Sequence, residues 1–426
     1  MATSSDSNAS APLPPSLRRR GRRLAIASHA VGQIHNGGVI SDLTTLALVA
    51  LGAGEALVGA QRFLLFAVVL LQLPALRRVG RTSKRRILVS GQLVALAATL
   101  PLLAFDPLSR LGGLGLAAAF TCFTFAAAGF AINATVWFPM LHGYVEPAQT
   151  GRFFGVLRTG WHLTLIPFFL GARAWLEAHP GDFAPVFAVA FLCGLGRLVL
   201  IAQLPERSER TGRPLDLRAA FAFVRTRPRW ASYVAGVTLS SSARAVFMTF
   251  AVVLMRRDLG FGEGDVLYCT AATFAGGLVS LYVWGRLVDA AGPLPIFRGT
   301  ALGQAVAVAL FAALAWSGLA SVPAAVATFF AIALLAAGFD VADTRVLFAL
   351  TPEDTPARLL VPTTVVKACL GGGLPLAAGV AIEAAIGQGL PRGDVYAALF
   401  ALLCVGIVAG VGPLRRFRSL PGTAGA

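Results

Sequence analysis

Apolar positions in this chain run for about 20 residues at a time, the length an α-helix needs to cross the hydrocarbon core of a bilayer. Six such windows fall near residues 24–47, 55–76, 87–105, 112–138, 157–176 and 182–203, and six more near 230–255, 264–284, 296–316, 321–349, 359–386 and 395–413. The pattern predicts an all-α membrane protein with about twelve transmembrane helices joined by short loops. One internal polar stretch, Pro205 to Arg229, separates the two sets. The expected organisation is a cytoplasmic tail at 1–23, an N-terminal six-helix bundle at 24–203, a linker at 204–229, a C-terminal bundle at 230–414 and a tail at 415–426.

Composition agrees, since the 426 residues are 56% hydrophobic and only 13% charged, too few charges to cover a soluble globule. A net charge of +16 invites a nucleic-acid reading, but its distribution opposes one. With the N-terminus inside, most of the 36 Lys and Arg lie on the cytoplasmic side: Arg18 to Arg23, Arg77 to Arg86, Arg207 to Arg229 and Arg415 to Arg418. They are topology signals, and they place both termini and the linker in the cytoplasm of a bacterial inner-membrane protein with no nucleic-acid partner. Residues 1–17, rich in Ser, Ala and Pro, read as a disordered tail. Cys122, Cys193, Cys269, Cys369 and Cys404 show no paired spacing and read as small packing residues.

Between two apolar windows lies Gly285-Arg286-Leu287-Val288-Asp289-Ala290-Ala291-Gly292, whose glycines, buried leucine and carboxylate suit a helix ending in a tight turn, with Asp289 at a membrane surface near a neighbouring helix N-terminus. About half a chain earlier, Leu73-Pro74-Ala75-Leu76-Arg77-Arg78-Val79-Gly80-Arg81 occupies the matching position. The octet resembles the cytoplasmic loop signature Gly-x-Leu-x-Asp-x-x-Gly of the major facilitator superfamily, matched at Gly285, Leu287, Asp289 and Gly292. The first copy keeps only Gly80 and its basic followers, with Arg77 in place of the carboxylate and Leu73 in place of the first glycine. A second loop pair repeats at a similar offset, Glu146 to Phe153 against Thr351 to Leu359, with Pro, Thr and Arg in nearly the same register. The resemblance implies two pseudo-symmetric bundles that rock about a central cavity, lined by helices one, four, seven and ten. It also makes Gly80, Gly285, Leu287, Asp289 and Gly292 a gating-loop set in which the intact second copy exerts more control.

Polar residues inside the spans are the candidates for a binding or coupling site, because at mid-bilayer depth they need water, ligand or a partner. Helix one places His29, Gln33 and Asn36 on one face and His35 and Asp42 on another, beside Gly37-Gly38, where local unwinding is expected. Helix four offers Asn133 ahead of threonines that bond their own helix. Helix seven carries Arg244, about 21 Å in from Trp230 at 1.5 Å per residue, beyond the middle of a core about 30 Å thick. It therefore meets an anionic ligand or a carboxylate such as Asp340 or Asp42. In helix ten Asp340 is the expected partner or proton carrier, while Asp343 and Arg345 reach toward the cytoplasmic surface. Arg197 and Lys367 are expected to snorkel to the cytoplasm, and Glu383 to lie near the outer surface.

No phosphate-binding Gly-x-x-x-x-Gly-Lys-Ser/Thr loop and no His-Glu-x-x-His zinc motif occurs, so no catalytic residue, metal or cofactor is expected. Helix four lacks an intramembrane arginine and helix five has Pro167 without a Gly-Pro pattern, which weakens the resemblance to drug-proton antiporters. The expected function is secondary transport of a small organic solute by alternating access, as a monomer in the lipid bilayer with protons as a candidate coupling ion. Two alternatives stay open: efflux of a hydrophobic compound, and a non-transporting assembly factor for a membrane complex. A polar cavity lined by His35, Asn36 and Arg244 favours transport, and a dry interior favours assembly.

Overall fold

A computed structural model describes residues 13–78, 82–141, 143–145, 150–206, 217–350 and 357–417. Gly80, residues 1–12 of the expected disordered tail, 207–216 of the linker, the end of the C-terminal tail and much of the second loop pair lie outside the described residues, and the rest of the expected disordered tail is corrected in that Pro15 to Leu17 are helical. The order is α1 (Pro15–Ile40), α2 (Asp42–Ala50), α3 (Glu55–Ala67), α4 (Gln72–Arg78), α5 (Lys84–Thr99), α6 (Phe105–Ser109), α7 (Gly113–Leu141), α8 (Thr150–Ala178) and α9 (Ala184–Ala202). It continues with α10 (Leu217–Arg225), α11 (Pro228–Arg257), α12 (Glu263–Ala291), α13 (Pro293–Trp316), α14 (Val322–Leu350), α15 (Ala357–Gly387), α16 (Arg392–Ala409) and α17 (Val411–Leu414). Among the described residues, 10 helices are long and apolar enough to cross a membrane, or 11 if Glu263–Ser280 and Tyr282–Ala291, bent by 50°, form one span. This is a multi-pass membrane protein. The remaining expected span is α1 with α2, whose His, Gln and Asn side chains dilute its apolar run.

Helix one breaks at Ser41, which is extended (φ −102°, ψ −162°), and not at Gly37-Gly38, which stay helical. The break places Asp42 in the first turn of α2, where a carboxylate favours the positive end of the helix. By contacts the chain forms two compact units, one of residues 1–41, 68–165 and 183–215, the other of 42–67, 166–182 and 216–426. By contacts, 42–67 and 166–182 are thus grouped with the second unit.

In the first unit α1 packs on α9 and α7, and α5 on α7 and α9. Val136, Leu141, Leu88, Ile201 and Leu204 are buried at its core. Glycines set the α5–α7 distance: a Cβ on Gly129 would lie 2.5 Å from the Gly91 carbonyl oxygen, and one on Gly91 would lie 2.7 Å from that of Gly129. At the start of α5 Ser83 accepts from the Arg86 N–H, and the Glu206 carboxylate accepts from Ser83 Oγ and the Lys84 N–H.

In the second unit α12 packs on α14, α13 on α14 and α16, and α11 on α15 and α16, while α2 lies against α11 and α12. Helix α3 runs along α15 through two close approaches, with Gly59 against the Pro375 carbonyl and Gly379 against that of Glu55. The Glu383 carboxylate of α15 accepts from the Ala56 N–H at 2.8 Å, satisfying one open donor in the first turn of α3. The octet Gly285 to Gly292 closes α12, with Gly292 at φ +78° and its N–H bonded to the Val288 carbonyl. The expected buried leucine is corrected: Leu287 is 41% exposed, and Val288, one position on, turns inward at 1%.

Candidate functional site

The second unit holds a cavity of about 280 Å³ lined by Asp42, Arg62, Leu65, Phe66, Met248 and Pro375. Its polar wall is an ion pair. Asp42 Oδ1 accepts from Arg62 Nη2 at 3.2 Å, and Asp42 Oδ2 accepts from Thr270 Oγ1 at 2.9 Å. Arg62 also donates to Thr45 Oγ1 at 3.3 Å, while its Nε is buried with no hydrogen-bond partner. The break at Ser41 gives Asp42 this position, α3 supplies Arg62, and α12 supplies Thr270. The rest of the lining is apolar apart from Thr249, so the cavity offers one paired charge beside an aromatic ring and a thioether. Sequence reasoning named Asp42 and missed Arg62, a lone cation in the 55–76 window.

Three further ion pairs surround charged residues of this unit. Arg244 Nη2 donates to Asp340 Oδ1 at 3.1 Å, with side-chain exposures of 18% and 59%. Lys367 Nζ lies 3.1 Å from Asp343, whose carboxylate also accepts from the Tyr233 hydroxyl. Asp289 pairs with Arg345 of α14 and so takes a side-chain partner instead of the expected helix N-terminus. At the other end of the unit Glu55 accepts from both Arg257 and Arg392, and Arg392 also holds Asp258 at 2.6 Å.

In the first unit His35 and Asn133 come together through Gln92. Gln92 Nε2 donates to the Gly194 carbonyl at 3.1 Å and faces His35 Nδ1 at 3.0 Å, and Asn133 Nδ2 donates to Gln92 Oε1 at 3.3 Å. Thr99 Oγ1 donates to the Ala95 carbonyl, leaving it to accept from His35 Nε2 at 2.9 Å. The bonds fix a neutral imidazole with its proton on Nε2. His35 is fully buried with Phe130 at its edge, which makes it a joint between α1, α5 and α9. Gln33 faces His29 Nε2 at 3.4 Å, Asn36 is half-buried nearby on α1, and His29 stacks on Trp137. Arg197 departs from expectation: it is only 6% exposed, packed against Gly32 instead of reaching the surface. Among the described residues no group of three or more His, Cys, Asp or Glu is placed to hold a metal ion.

No family model and no curated protein matches the chain. Solved structures do. A bacterial homologue of the iron transporter ferroportin, in an inward-facing state, aligns at 16% identity over 95% of this chain and 99% of its own, with TM-score 0.67. The nucleoside transporter NupG, in a mutant form, aligns at 12% identity over 93% and 99%, with TM-score 0.66. A POT family transporter in complex with 5-aminolevulinic acid aligns at 10% identity over 94% and 96%, with TM-score 0.69. The chain therefore shares the fold of these transporters over 93–95% of its length, in agreement with the fold class that the Gly285 to Gly292 loop implied.

Proposed function

We propose that the protein is a secondary transporter that moves a small organic solute across a bacterial inner membrane by alternating access of two six-helix halves, with both termini and the linker cytoplasmic. The observation that carries this reading is the cavity of about 280 Å³ whose polar wall is the Asp42–Arg62 pair. A carboxylate and a guanidinium inside a membrane are costly to keep and occur where solute or coupling ions pass. Asp42 sits at a broken helix, the arrangement by which such folds build binding sites at mid-membrane. The apolar wall of Leu65, Phe66 and Met248 supports a solute with an apolar body, which keeps hydrophobic efflux as a second reading. Asp42 is the proposed proton carrier, with Arg62 returning its charge to balance when the proton leaves. The proteins of similar fold, a homologue of an iron transporter, a nucleoside transporter and a POT family transporter in complex with 5-aminolevulinic acid, differ too much to choose among solutes.

The test combines binding and flux on the purified protein. A library of small organic solutes is screened for thermal stabilisation, since a ligand that binds only the folded state raises its apparent stability. Solutes that bind are then offered to proteoliposomes loaded with a pH dye. Solute-driven proton movement that Asp42→Asn abolishes, with solute binding retained, supports the reading. Binding with neither proton movement nor uptake of the labelled solute in wild type refutes transport and favours the assembly role.

A further inference from the structure

In the second unit Arg62, Arg244 and Lys367 each pair with a carboxylate, whereas Arg197 of the first unit has no such partner among the described residues. Arg197 of α9 is 6% exposed, forms no ion pair among the described residues, and has a buried Nε with no acceptor. The described carboxylates of its own unit are engaged elsewhere: Asp106 pairs with Arg110, and Glu206 accepts at the start of α5. A side chain so placed costs several kcal/mol without a counter-charge.

Its surroundings are built to receive one. Arg197 lies alongside Gly32, where a Cβ would stand 2.2 Å from its Cδ and 2.8 Å from its Nε, so the missing side chain makes room for the arginine side chain. Its Cζ is 5.9 Å from the Trp137 ring centre, and His29 stacks on Trp137 at 5.5 Å. The same His29 ring meets Trp161 of α8 edge-on at 6.3 Å, and the Trp161 Nε1–H is a second buried donor without an acceptor. Gln33, one turn from His29, faces it at 3.4 Å. Four helices thus contribute, along one run of ring contacts, two unsatisfied N–H donors, one cation with no described carboxylate partner, and aromatic walls.

We propose that this cluster binds the carboxylate of a small organic monoanion, held by the Arg197 guanidinium and the Trp161 indole N–H against the Trp137–His29 stack. Charge selects the class. One unpaired cation balances a monoanion, whereas a phosphate dianion would leave an uncompensated negative charge in the same place. Planar oxygens suit the guanidinium fork, and an aromatic or otherwise apolar body suits the ring walls. The identification of this ligand as the solute rests on the transport reading; binding itself does not.

The experiment therefore measures binding in detergent, with no flux. Thermal unfolding is followed with sodium acetate, benzoate and phenylacetate, against sodium chloride, benzamide, inorganic phosphate and a short-chain phosphatidylglycerol. A saturable rise in Tm with at least one carboxylate, absent with benzamide and chloride, is expected. Trp161→Phe, which removes one donor and keeps a ring, is expected to weaken that binding roughly tenfold. Arg197→Lys, which keeps charge but not the fork, is expected to weaken it by roughly tenfold or more. If Arg197→Lys does not fold, Trp161→Phe decides alone. No saturable shift with any carboxylate, equal shifts for benzoate and benzamide, stabilisation by phosphate or phospholipid alone, or unchanged affinity in Trp161→Phe overturns the proposal. None of these results bears on whether another solute is transported.

Discussion

Replacing Asp42 by Asn keeps the shape of the side chain and one acceptor oxygen for Thr270, and removes the charge and the acceptor that face Arg62. The pair is 3.2 Å apart, with side-chain exposures of 16% for Arg62 and 12% for Asp42. At an effective dielectric constant of about 20 the Coulomb attraction is about 5 kcal/mol. Cavity water recovers part of this by hydrating the guanidinium that is left behind, so the net loss for Asp42→Asn should be about 2–4 kcal/mol. Arg62→Met strands Asp42 instead, and carries a similar cost unless the carboxyl takes up a proton. The double variant has no stranded charge, and its destabilisation should fall short of the sum by about 2–3 kcal/mol. The assay is a double-mutant cycle of reversible unfolding in mixed micelles, followed by circular dichroism. Additive losses, or a loss below about 0.5 kcal/mol in Asp42→Asn, would refute the claim that the two side chains compensate each other inside the membrane.

Other consequences can be checked on the same preparation. Gly129→Ala puts a methyl group 2.5 Å from the Gly91 carbonyl and should cost about 2–3 kcal/mol, whereas Gly285→Ala meets nothing within 4 Å and should leave unfolding unchanged. Gln92→Leu strips partners from His35 Nδ1, the Gly194 carbonyl and Asn133 at once, and a loss of about 2–3 kcal/mol is expected in the same unfolding assay. Asp289→Asn breaks an exposed pair with Arg345 and should change stability by less than about 1 kcal/mol, yet shift spin-label distances between bundle ends more than Arg77→Gln does. A cysteine introduced at Arg218 in α10 should resist an impermeant thiol reagent in intact cells, and rapid labelling there would overturn the cytoplasmic assignment of the linker.

The helices were legible because membrane spans impose a composition over about 20 residues, and that constraint survives errors of a few residues at each end. Helix one shows where it weakens. The polar residues that suggested a site there also dilute its apolar run, and the break falls at Ser41, whereas the glycine pair gave the louder signal. Gly37 and Gly38 remain helical because glycine permits unwinding without requiring it. The octet was read correctly as a turn, from Gly292, but the period that made Leu287 the inward residue was one position out, since Val288 carries the burial. Grouping of helices was less legible still. The close approach of α3 to α15 depends on Gly59 and Gly379, and nothing local to either sequence names the other as its partner.

Charges divide along the same line. Arg244 was recognised from depth, and Asp340, one of the two carboxylates named for it, is its partner. The same reasoning applied to Arg62 would have exposed it, for it stands seven residues past Glu55, about 10 Å into its helix at 1.5 Å per residue. Arg197 was misread for the opposite reason. It is near enough to the end of α9 to snorkel, so depth alone could not decide. What the sequence did contain was an inventory: within 68–141 and 150–206 the described carboxylates are Asp106, Glu177, Asp182 and Glu206. Glu177 and Asp182 belong to the second unit, and the other two are engaged at helix ends. A cation whose unit holds no available carboxylate must reach water or take its counter-charge from a ligand. Gly32 leaves room for the Arg197 side chain to stay inside, at 6% exposure, and this burial is what favours the proposed ligand over water.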